Sequence, residues 1–487
     1  MRSPYSAHGA ILFLTLGLFQ SIFADPGISR EKQAVIEQVD ALEQEIENIS
    51  MQLWEYSELA LTEVRSAKLL ADILETEGFN LERGVADMPT AFVAEWGDAG
   101  PVIGILAEYD ALPNIGNDPV PVRQARADGH LHGHGCGHNL FGAGSVGAAI
   151  AVKRTMESHG IKGTVKLFGT PAEETLVGKV YMANAGVFDG IDLSLDWHPW
   201  FSTLVANEQG QAMNNFQVEF FGKAAHGAFD PWNGRSALDA VELMNHAANM
   251  MREHIEPTAR IHYVIPDAGE APNVVPAYAR VWYYVRDSDR PKVEANYDWL
   301  TQIAEGAALA TQTNHKITLI TGVHELLLNR PLQEAAQANL EYIGAPVFSE
   351  DDHAFAKELQ ETLGLDPLGY PSVVDPLADG IEPPEGGSTD VAEVTRMAPG
   401  VSIYVATAGL NLPWHSWATA ASHGRPNAAR GASVAAKALA LTAIDFLLDE
   451  DLRKRAKAEF DEKMKDNLYI SPIPKGHTPI LPDELIQ

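Results

Sequence analysis

A glycine-rich segment in the first third of the chain carries the residues best suited to chemistry. In Gly133-His134-Gly135-Cys136-Gly137-His138-Asn139, a thiol and an imidazole stand two residues apart. The intervening glycines remove side-chain bulk and permit close approach to an ion. Thiolate and neutral imidazole both bind zinc and related divalent ions. Cys136 is the one cysteine of this sequence, so no internal disulfide explains it, and we interpret Cys136 and His138 as metal ligands.

Other ligand-type side chains follow predicted strands. Strand-like runs at 102–107, 164–168, 192–195 and 401–406 lead respectively to Asp110, to Glu173 and Glu174, to His198, and to His415. In open α/β sheets the crevice beyond the carboxyl ends of the strands binds ligands. We therefore expect these side chains to converge with Cys136 and His138.

The Glu173-Glu174 pair suits a division of labour at a metal. Adjacent carboxylates repel each other unless a cation lies nearby. One of them can then bind metal while its neighbour takes a proton from water. The alternative, which the pair alone leaves open, is two solvated loop acids.

The elements that must position these residues change character along the chain. Helical spacing at 29–50, 53–77, after Asn139 and at 432–448 alternates with the short strands, which predicts an α/β sheet covered by helices on both faces. From about residue 211 the order becomes strand 215–221, helix 236–255, strands 260–265 and 279–286, a helix opened by Pro291, and strand 316–321. That order is typical of a ferredoxin-like sandwich, which we interpret as an insertion.

The predicted domain organisation follows from these changes. It comprises a signal peptide (1–24), the first part of a catalytic domain (25–210), the inserted domain (211–325), the second part of the catalytic domain (326–450) and a C-terminal extension (451–487). The segment 366–387, rich in proline, glycine and acids, is predicted to be a long loop. The charged run 449–466 is predicted to be a solvated helix.

Charge and the first residues bear on partners and location. The formal net charge is −31, from 66 acidic and 35 basic residues, and such a chain repels polyphosphate backbones, so no nucleic acid partner is expected. Arg2, the apolar run 10–19 and Ala24 predict a signal peptide cleaved near Ala24 and export to the periplasm or beyond. An uncleaved anchor is the alternative. No later segment is apolar enough to predict stable membrane insertion.

Several of these segments together resemble a known family. The run 133–139, the Glu173-Glu174 pair, the Asp-Trp-His-Pro segment from Asp196 and the Trp-His-Ser segment from Trp414 are similar to those of the aminoacylase and carboxypeptidase-G-like metallopeptidases. The likeness runs from about residue 32 to 448 and includes the segments 108–113 and 387–391. It implies a zinc-peptidase-like catalytic domain with a mixed sheet and two divalent metal ions, plus a ferredoxin-like α+β lid that also forms dimers.

The resemblance also implies roles for individual residues. By matching positions, Cys136 would bridge the metals, His138, Glu174, His198 and His415 would be the remaining ligands, Glu173 the general base, and Asp110 the acid that orients ligands. His226 would stabilise the oxyanion, reaching into the site of a partner subunit, and Asn273 and Arg286 would hold the substrate carboxylate or its surroundings. His423 competes with His415 as the last ligand, and Asn139 stands where many relatives carry Asp.

The resulting expectation is a metal-dependent amidohydrolase. Its substrates would be N-acyl or aroyl amino acids, aminobenzoyl-glutamate-like conjugates or small peptides, attacked by a water that the cations make acidic and Glu173 deprotonates. A dipeptidase or carboxypeptidase, or a non-catalytic binding subunit of the same fold, are the alternatives. Zinc and manganese both suit the ligands. A homodimer is expected, and a heteromer with a related subunit stays open.

Overall fold

The computed structural model describes residues 28–381 and 386–482, so the predicted signal peptide lies outside the described residues. The helices are α1 (Arg30–Tyr56), α2 (Val64–Thr76), α3 (His138–His159), α4 (Gly178–Asn184), α5 (Ala237–Met251), α6 (Arg290–Thr311), α7 (Arg330–Ile343), α8 (Glu350–Thr362), α9 (Val391–Thr395), α10 (Trp417–His423), α11 (Ala429–Leu448) and α12 (Glu450–Met464). The strands are β1 (Asn80–Arg83), β2 (Phe92–Gly97), β3 (Val102–Ala107), β4 (Thr164–Gly169), β5 (Leu193–Trp200), β6 (Leu204–Val205), β7 (Ala212–Phe221), β8 (Arg260–Asp267), β9 (Tyr278–Asp287), β10 (Asn314–Val323) and β11 (Gly400–Ala406).

A mixed sheet forms the core of the first unit, which is built from the chain outside residues 212–323. Its described strands run in the order β1-β2-β4-β3-β5-β11-β6. The central strands β4, β3, β5 and β11 are parallel, while β1, β2 and β6 pair antiparallel at the edges. Helices α3 and α11 pack on the sheet, and α1 packs across both of them. The predicted α/β fold is confirmed, and its parallel strands present their carboxyl ends along one edge.

The inserted unit, residues 212–323, has the predicted strand-helix-strand-strand-helix-strand order. Its described strands form an antiparallel sheet in the order β10-β7-β9-β8. Helices α5 and α6 cover one face, burying alternate residues such as Phe216, Val281 and Val285. The opposite face carries the polar and aromatic residues of the same strands and is not covered by these helices. This is the ferredoxin-like sandwich expected from the sequence.

Some predicted boundaries were wrong. The strand predicted at 192–195 continues to Trp200, because it pairs in register with β11 along its whole length, placing Asp196 beside Ser402 and His198 beside Tyr404. His198 therefore lies within the strand and not after it. The helix predicted to end near residue 50 continues to Tyr56, since Leu53 and Trp54 are still buried.

The chain enters and leaves the inserted unit at neighbouring positions, because the Leu326 amide donates to the Gln209 carbonyl at 2.7 Å.

The C-terminal segment packs against the first unit. Helix α12 was predicted to be solvated, but Leu452 and Ala456 on one side are buried. Beyond it, the Tyr469 hydroxyl donates to Glu393 Oε2 at 2.7 Å.

One described helical stretch has the length and composition of a membrane span. It is Pro426–Leu448, and 78% of its apolar window is buried inside the protein. The burial follows from the packing of α11 against α1, α3 and α7. In this fold the apolar character of the helix serves the core.

Gly144 of α3 gives a packing test. A Cβ there would lie 2.9 Å from Trp197 Cζ2 and 3.0 Å from the Ala432 carbonyl oxygen, whereas a Cβ at Gly306 of α6 meets no described atom within 4 Å. We expect Gly144→Ala to destabilise the protein by about 1–3 kcal/mol through overpacking. Gly306→Ala, also helical, should stabilise it slightly. Calorimetric melting of both variants checks this, and equal shifts would contradict the packing described.

Candidate metal centre

The thiol of Cys136 lies at the meeting point of the predicted ligands. Its Sγ is 3.3 Å from His198 Nε2 and 3.3 Å from His415 Nε2. Cys136, His138 and His198 form one group whose ligand atoms lie within 4.8 Å of one another, and Cys136, Glu174 and His415 form a second. Both groups share the same sulfur, which is the geometry expected of a bridging ligand.

Two glycines let the segment around Cys136 pack this closely. Gly137 has φ 87° and immediately precedes α3, so that His138 is the first residue of the helix. A Cβ on Gly137 would lie 2.7 Å from Pro199 Cβ. A Cβ on Gly135 would lie 2.4 Å from Ile115 Cδ1 and 3.3 Å from His415 Cα. Side chains at either position would separate the strand carrying His198, or the loop carrying His415, from the thiol.

The two adjacent glutamates lie on a short 3-10 turn, Glu173–Thr175. The turn is flanked by left-handed residues, Ala172 with φ 60° and Leu176 with φ 57°. The buried Glu63 holds the turn, since its Oε1 accepts from the Ala172 amide at 2.9 Å. Residues without glycine's freedom adopt such angles only when their surroundings enforce them.

Both carboxylates lie near His138, and Glu174 also lies near His415. Glu173 Oε2 is 3.9 Å from His138 Nε2, whereas Glu174 Oε1 is 3.9 Å from His138 Nδ1 and Glu174 Oε2 is 3.5 Å from His415 Nε2. Asp110 fixes the backbone here, because its Oδ2 accepts from the Glu174 amide at 2.9 Å. The arrangement permits the separate roles predicted for the pair.

Hydrogen bonds set which nitrogen two of the histidines present. His138 Nδ1 lies 2.8 Å from Asp110 Oδ1, and His198 Nδ1 lies 2.7 Å from the Pro199 carbonyl oxygen. With Nδ1 as the donor in each ring, Nε2 is left as the ligand atom. The Asp110 carboxylate thus contacts the ring of one candidate ligand, His138, and the backbone amide of another, Glu174. An acid that orients metal ligands is expected to lie in such a position.

The two candidates for the last ligand differ sharply. His415 has φ 56° and its side chain is 54% exposed, with Nε2 facing both Cys136 and Glu174. His423 is fully buried, and its ring nitrogens are occupied by the His134 carbonyl at 2.8 Å and Thr407 Oγ1 at 3.1 Å. The geometry favours His415.

Burial dominates the electrostatics of the cluster. Burial raises the pKa of Glu63 and of Glu174 to about 8, and it also raises that of Cys136 and Glu173. Burial works against a charged His138, but the charges of Cys136 and of nearby carboxylates outweigh it and hold the His138 pKa well above its ordinary range. The cluster therefore demands positive charge.

Divalent ions fit this demand. Within the described residues, the buried His138 Nε2 and Glu174 Oε1 have no hydrogen-bond partner. The donor set of one thiol, three imidazoles and a carboxylate is of the kind that binds zinc and related ions. Burial lowers the pKa of His198 to about 3, which keeps this imidazole neutral as a ligand must be. The residues thus suit two cations sharing one thiolate.

Sequence reasoning missed a buried chain of charge that ends at His138. Lys179 Nζ lies 2.8 Å from Glu108 Oε1 and 2.6 Å from Asp390 Oδ1, and all three side chains are at most 1% exposed. Glu108 Oε2 in turn lies 3.1 Å from His138 Nε2. Glu108 and Asp390 fall in segments that carried the family resemblance. For Lys179 the signal was a lone lysine in a buried helix.

The residues predicted on the inserted unit are divided between its two ends. Arg286 pairs with Met213 at the start of β7, and its Nη1 donates to Ser388 Oγ of the first unit at 3.0 Å. His226 and Asn273 adjoin each other beyond the far end of β7, where the Gly227 amide donates to the Asn273 carbonyl at 2.7 Å. A strand of this length spans roughly 30 Å. His226 and Asn273 therefore lie at the opposite end of the inserted sheet from Arg286, away from its contact with Ser388 of the first unit.

Substitution of Lys179 tests the buried chain of charge. Lys179→Met leaves Glu108 and Asp390 buried without a cation, and we expect a loss of about 3–5 kcal/mol in unfolding free energy. The matched control is Lys457→Met, because Lys457 pairs with Asp461 and their side chains are 70% and 54% exposed, and such pairs contribute up to about 1 kcal/mol. Denaturant unfolding measures both. A similar small effect for the two variants would contradict the chain described, and adding Asp390→Asn should recover part of the loss.

Comparisons with known proteins identify the family of this chain. A family model described as "Peptidase family M20/M25/M40" matches residues 104–411. One of the two subunits of the p-aminobenzoyl-glutamate hydrolase of Escherichia coli is 36% identical, over 91% of this chain and 97% of its own. The Xaa-Arg dipeptidase of Mus musculus is 30% identical, over 92% of this chain and 97% of its own.

Solved structures share the fold. A dinuclear metal binding peptidase of the M20 family from Bacillus subtilis superposes with a TM-score of 0.55 at 21% identity, covering 84% of this chain and 99% of its own. An aminobenzoyl-glutamate utilization protein from Klebsiella pneumoniae gives a TM-score of 0.54 at 18% identity, covering 81% and 98%. Joined with the two ligand groups that meet at Cys136, the family match shows that the chain belongs to peptidase family M20/M25/M40 and is a hydrolase that uses divalent metal.

Proposed function

We propose that the enzyme hydrolyses the amide bond joining an acyl or aroyl group to an amino acid, including aminobenzoyl-glutamate-like conjugates and small peptides. One observation carries the proposal: two ligand groups share Cys136, with Glu173 beside them. Relatives whose names describe hydrolysis of p-aminobenzoyl-glutamate and of Xaa-Arg dipeptides support the substrate class. We further propose zinc or manganese as the metal, because both accept imidazole and carboxylate ligands.

The proposed reaction assigns a proton path to Glu173. Bound divalent cations would supply an acidified water and polarise the scissile carbonyl. A Glu173 carboxylate oxygen takes one proton from the attacking water and returns it to the departing amine nitrogen, so the proton balance closes within one turnover. Cys136, His138, Glu174, His198 and His415 hold the cations, and Asp110 orients His138.

Aromatic side chains beside the ligands support an aroyl or other flat acyl group. The Trp200 ring lies 4.9 Å from that of Trp414, 4.6 Å from Phe201 and 5.6 Å from Tyr404. The same ring lies 6.3 Å from that of His198. A planar acyl group stacked on this wall would lie against the ligands.

Arg286 supports a substrate that keeps a free carboxylate. Its guanidinium is partly buried at the junction of the two units and stands in a chain with a net charge of −31. A planar guanidinium binds carboxylates in a two-pronged manner. We assign it the carboxylate of the amino-acid half, which favours small conjugates over internal peptide bonds of large proteins.

The first test separates metal binding from the proton path. Glu173→Gln should retain about two divalent ions per chain, since Glu173 belongs to neither group that shares Cys136, yet lose about 100- to 10,000-fold in kcat with N-benzoyl amino acids. Cys136→Ser should lose both metal and activity. Metal analysis and hydrolysis assays on the same purified samples provide the measurements.

Either of two outcomes would count against the proposal. Unchanged turnover in Glu173→Gln would remove Glu173 from its role. Little metal in the unmodified enzyme, with no activity restored by zinc or manganese, would sink the hydrolase assignment and favour a binding subunit.

A homodimer in which each lid completes the partner's centre would give His226 and Asn273 a role. They lie at the end of the inserted unit opposite to Arg286, where Phe229 and Trp232 are 79% and 72% exposed. His226 would then stabilise the oxyanion in the partner's site. A heteromer is the alternative, because two Escherichia coli relatives are named as different subunits of the same hydrolase.

Mixing two inactive variants tests the dimer. His226→Ala and Glu173→Gln should each be nearly inactive alone, but random exchange of subunits gives mixed dimers with one intact site, and activity should recover to about a quarter of wild type. Differently tagged copies verify the exchange. No recovery despite verified exchange would contradict a contribution of His226 across subunits.

We propose export for this enzyme on the sequence of its first 24 residues, with cleavage near Ala24. Substrates would then be amides met outside the cytoplasm.

A further inference from the structure

A cavity of about 510 Å³ lies where the open face of the inserted sheet meets the first unit. It is lined by Gln211, Thr258, Arg260, His262, Arg286 and Gly386, among others. Its volume is within the range of small-molecule sites. Because residues of both units line the cavity, a ligand bound in the cavity would contact the inserted unit and the first unit together.

The walls of this cavity are basic. Arg260 and Arg286 stand directly opposite each other on β8 and β9, and His262 follows two residues along the same face of β8. Like charges placed opposite across strands repel each other. Burial, and then the charges of Arg286, Arg252 and Arg260, lower the pKa of His262. Such repulsion persists unless an anion lies between the groups.

None of the acids in the described residues serves as this anion. Over residues 28–381 and 386–482, none of Arg260, His262 and Arg286 forms an ion pair with a carboxylate. Asp287 is adjacent in sequence but points to the opposite face of the sheet, where it bonds Thr258 at 2.6 Å and Asn296 at 3.0 Å. By contrast, Arg280 on the same strand as Arg286 is paired with Asp267 at 2.8 Å.

The cavity is also held in shape. Gln211 Nε2 donates to the Thr258 carbonyl at 2.9 Å, and Ser388 Oγ donates to the Gln211 carbonyl at 2.7 Å. Arg286 is anchored through Nη1, which donates to Ser388 Oγ at 3.0 Å and to the Gly386 carbonyl at 3.4 Å. Its Nη2 donates to no acceptor among the residues described, so this nitrogen is available to a ligand.

The cavity connects physically with the metal centre. Ser388, which anchors Arg286, stands two residues before Asp390, the outer end of the buried chain that passes through Lys179 and Glu108 to His138. The same loop therefore contacts both the basic cavity and the buried chain. Arg286, to which we assign the carboxylate of the amino-acid half, lines this cavity, so the side chain of that amino acid would lie beside Arg260 and His262.

We infer that Arg260 and His262, beside Arg286, form a second anion subsite that selects amino-acid leaving groups carrying an acidic side chain. Arg286 binds the carboxylate common to all the proposed substrates, and Arg260 with His262 binds the side-chain carboxylate. The inference rests on the proposed function for its substrate. The anion site itself rests on the uncompensated basic residues.

The test compares two substrates that differ by one charge. N-benzoyl-L-glutamate and N-benzoyl-L-glutamine are nearly the same size, and the wild-type enzyme should prefer the glutamate. In Arg260→Gln, kcat/KM for the glutamate should fall about 10- to 100-fold, mainly through KM, because a charged hydrogen bond is lost, while the value for the glutamine stays within about twofold. The matched control, Arg280→Gln, should leave both substrates within about twofold.

Other results would overturn the subsite. Equal losses on both substrates, no loss on either, or a wild-type preference for the glutamine would each do so. If no N-acyl amino acid is hydrolysed by the metal-loaded wild type, the proposed function has failed separately, and calorimetry then decides on the site. Glutarate should bind the wild type more tightly than butyrate does and bind Arg260→Gln about tenfold more weakly. Absence of glutarate binding to the wild type would overturn the subsite.

Discussion

Carboxylates lose strong hydration when they are removed from water, and this chain buries a group of them around one thiol. Glu63, Glu108, Asp110, Glu173 and Asp390 are each less than a tenth exposed. Transfer of an unpaired charge to such a place costs several kcal/mol, so every member needs a cation, a proton or backbone amides. Lys179 satisfies Glu108 and Asp390, and backbone amides satisfy part of Glu63 and Asp110. The carboxylates that remain unpaired require positive charge, which divalent ions provide. The same constraint therefore explains both the architecture and the chemistry.

The parallel strands and the glycines make that concentration of charge possible. Strands β3, β4, β5 and β11 present their carboxyl ends along one edge, so residues far apart in sequence, from Cys136 to His415, meet there. Gly135 and Gly137 remove the atoms that would hold these segments apart. In the function proposed, the inserted unit supplies basic groups for the substrate's anionic half.

Much of this centre could be predicted because its ligands carry strong local signals. The spacing of Cys136 and His138 and the polar residues after buried strands identified the residues that the fold brings together. The end of β5 was misjudged, because Asp196 and His198 look like loop residues until their pairing with β11 is known. Lys179 escaped prediction for a related reason, since only tertiary structure shows that two buried carboxylates surround it. His226 and Asn273 lie beyond the end of β7 that is opposite to Arg286, so the fold of one chain does not explain the roles expected for them.

The neighbouring ends of the inserted unit bear on how the chain reaches its fold. The Leu326 amide and the Gln209 carbonyl are hydrogen-bonded at 2.7 Å although about 115 residues separate them. The entropy lost in closing a loop grows only with the logarithm of its length, and doubling the loop adds only ~0.6 kcal/mol. The parallel sheet can therefore close across this junction at nearly the same entropic cost whatever the size of the insertion, so its core does not require the lid to shorten the path between its two halves.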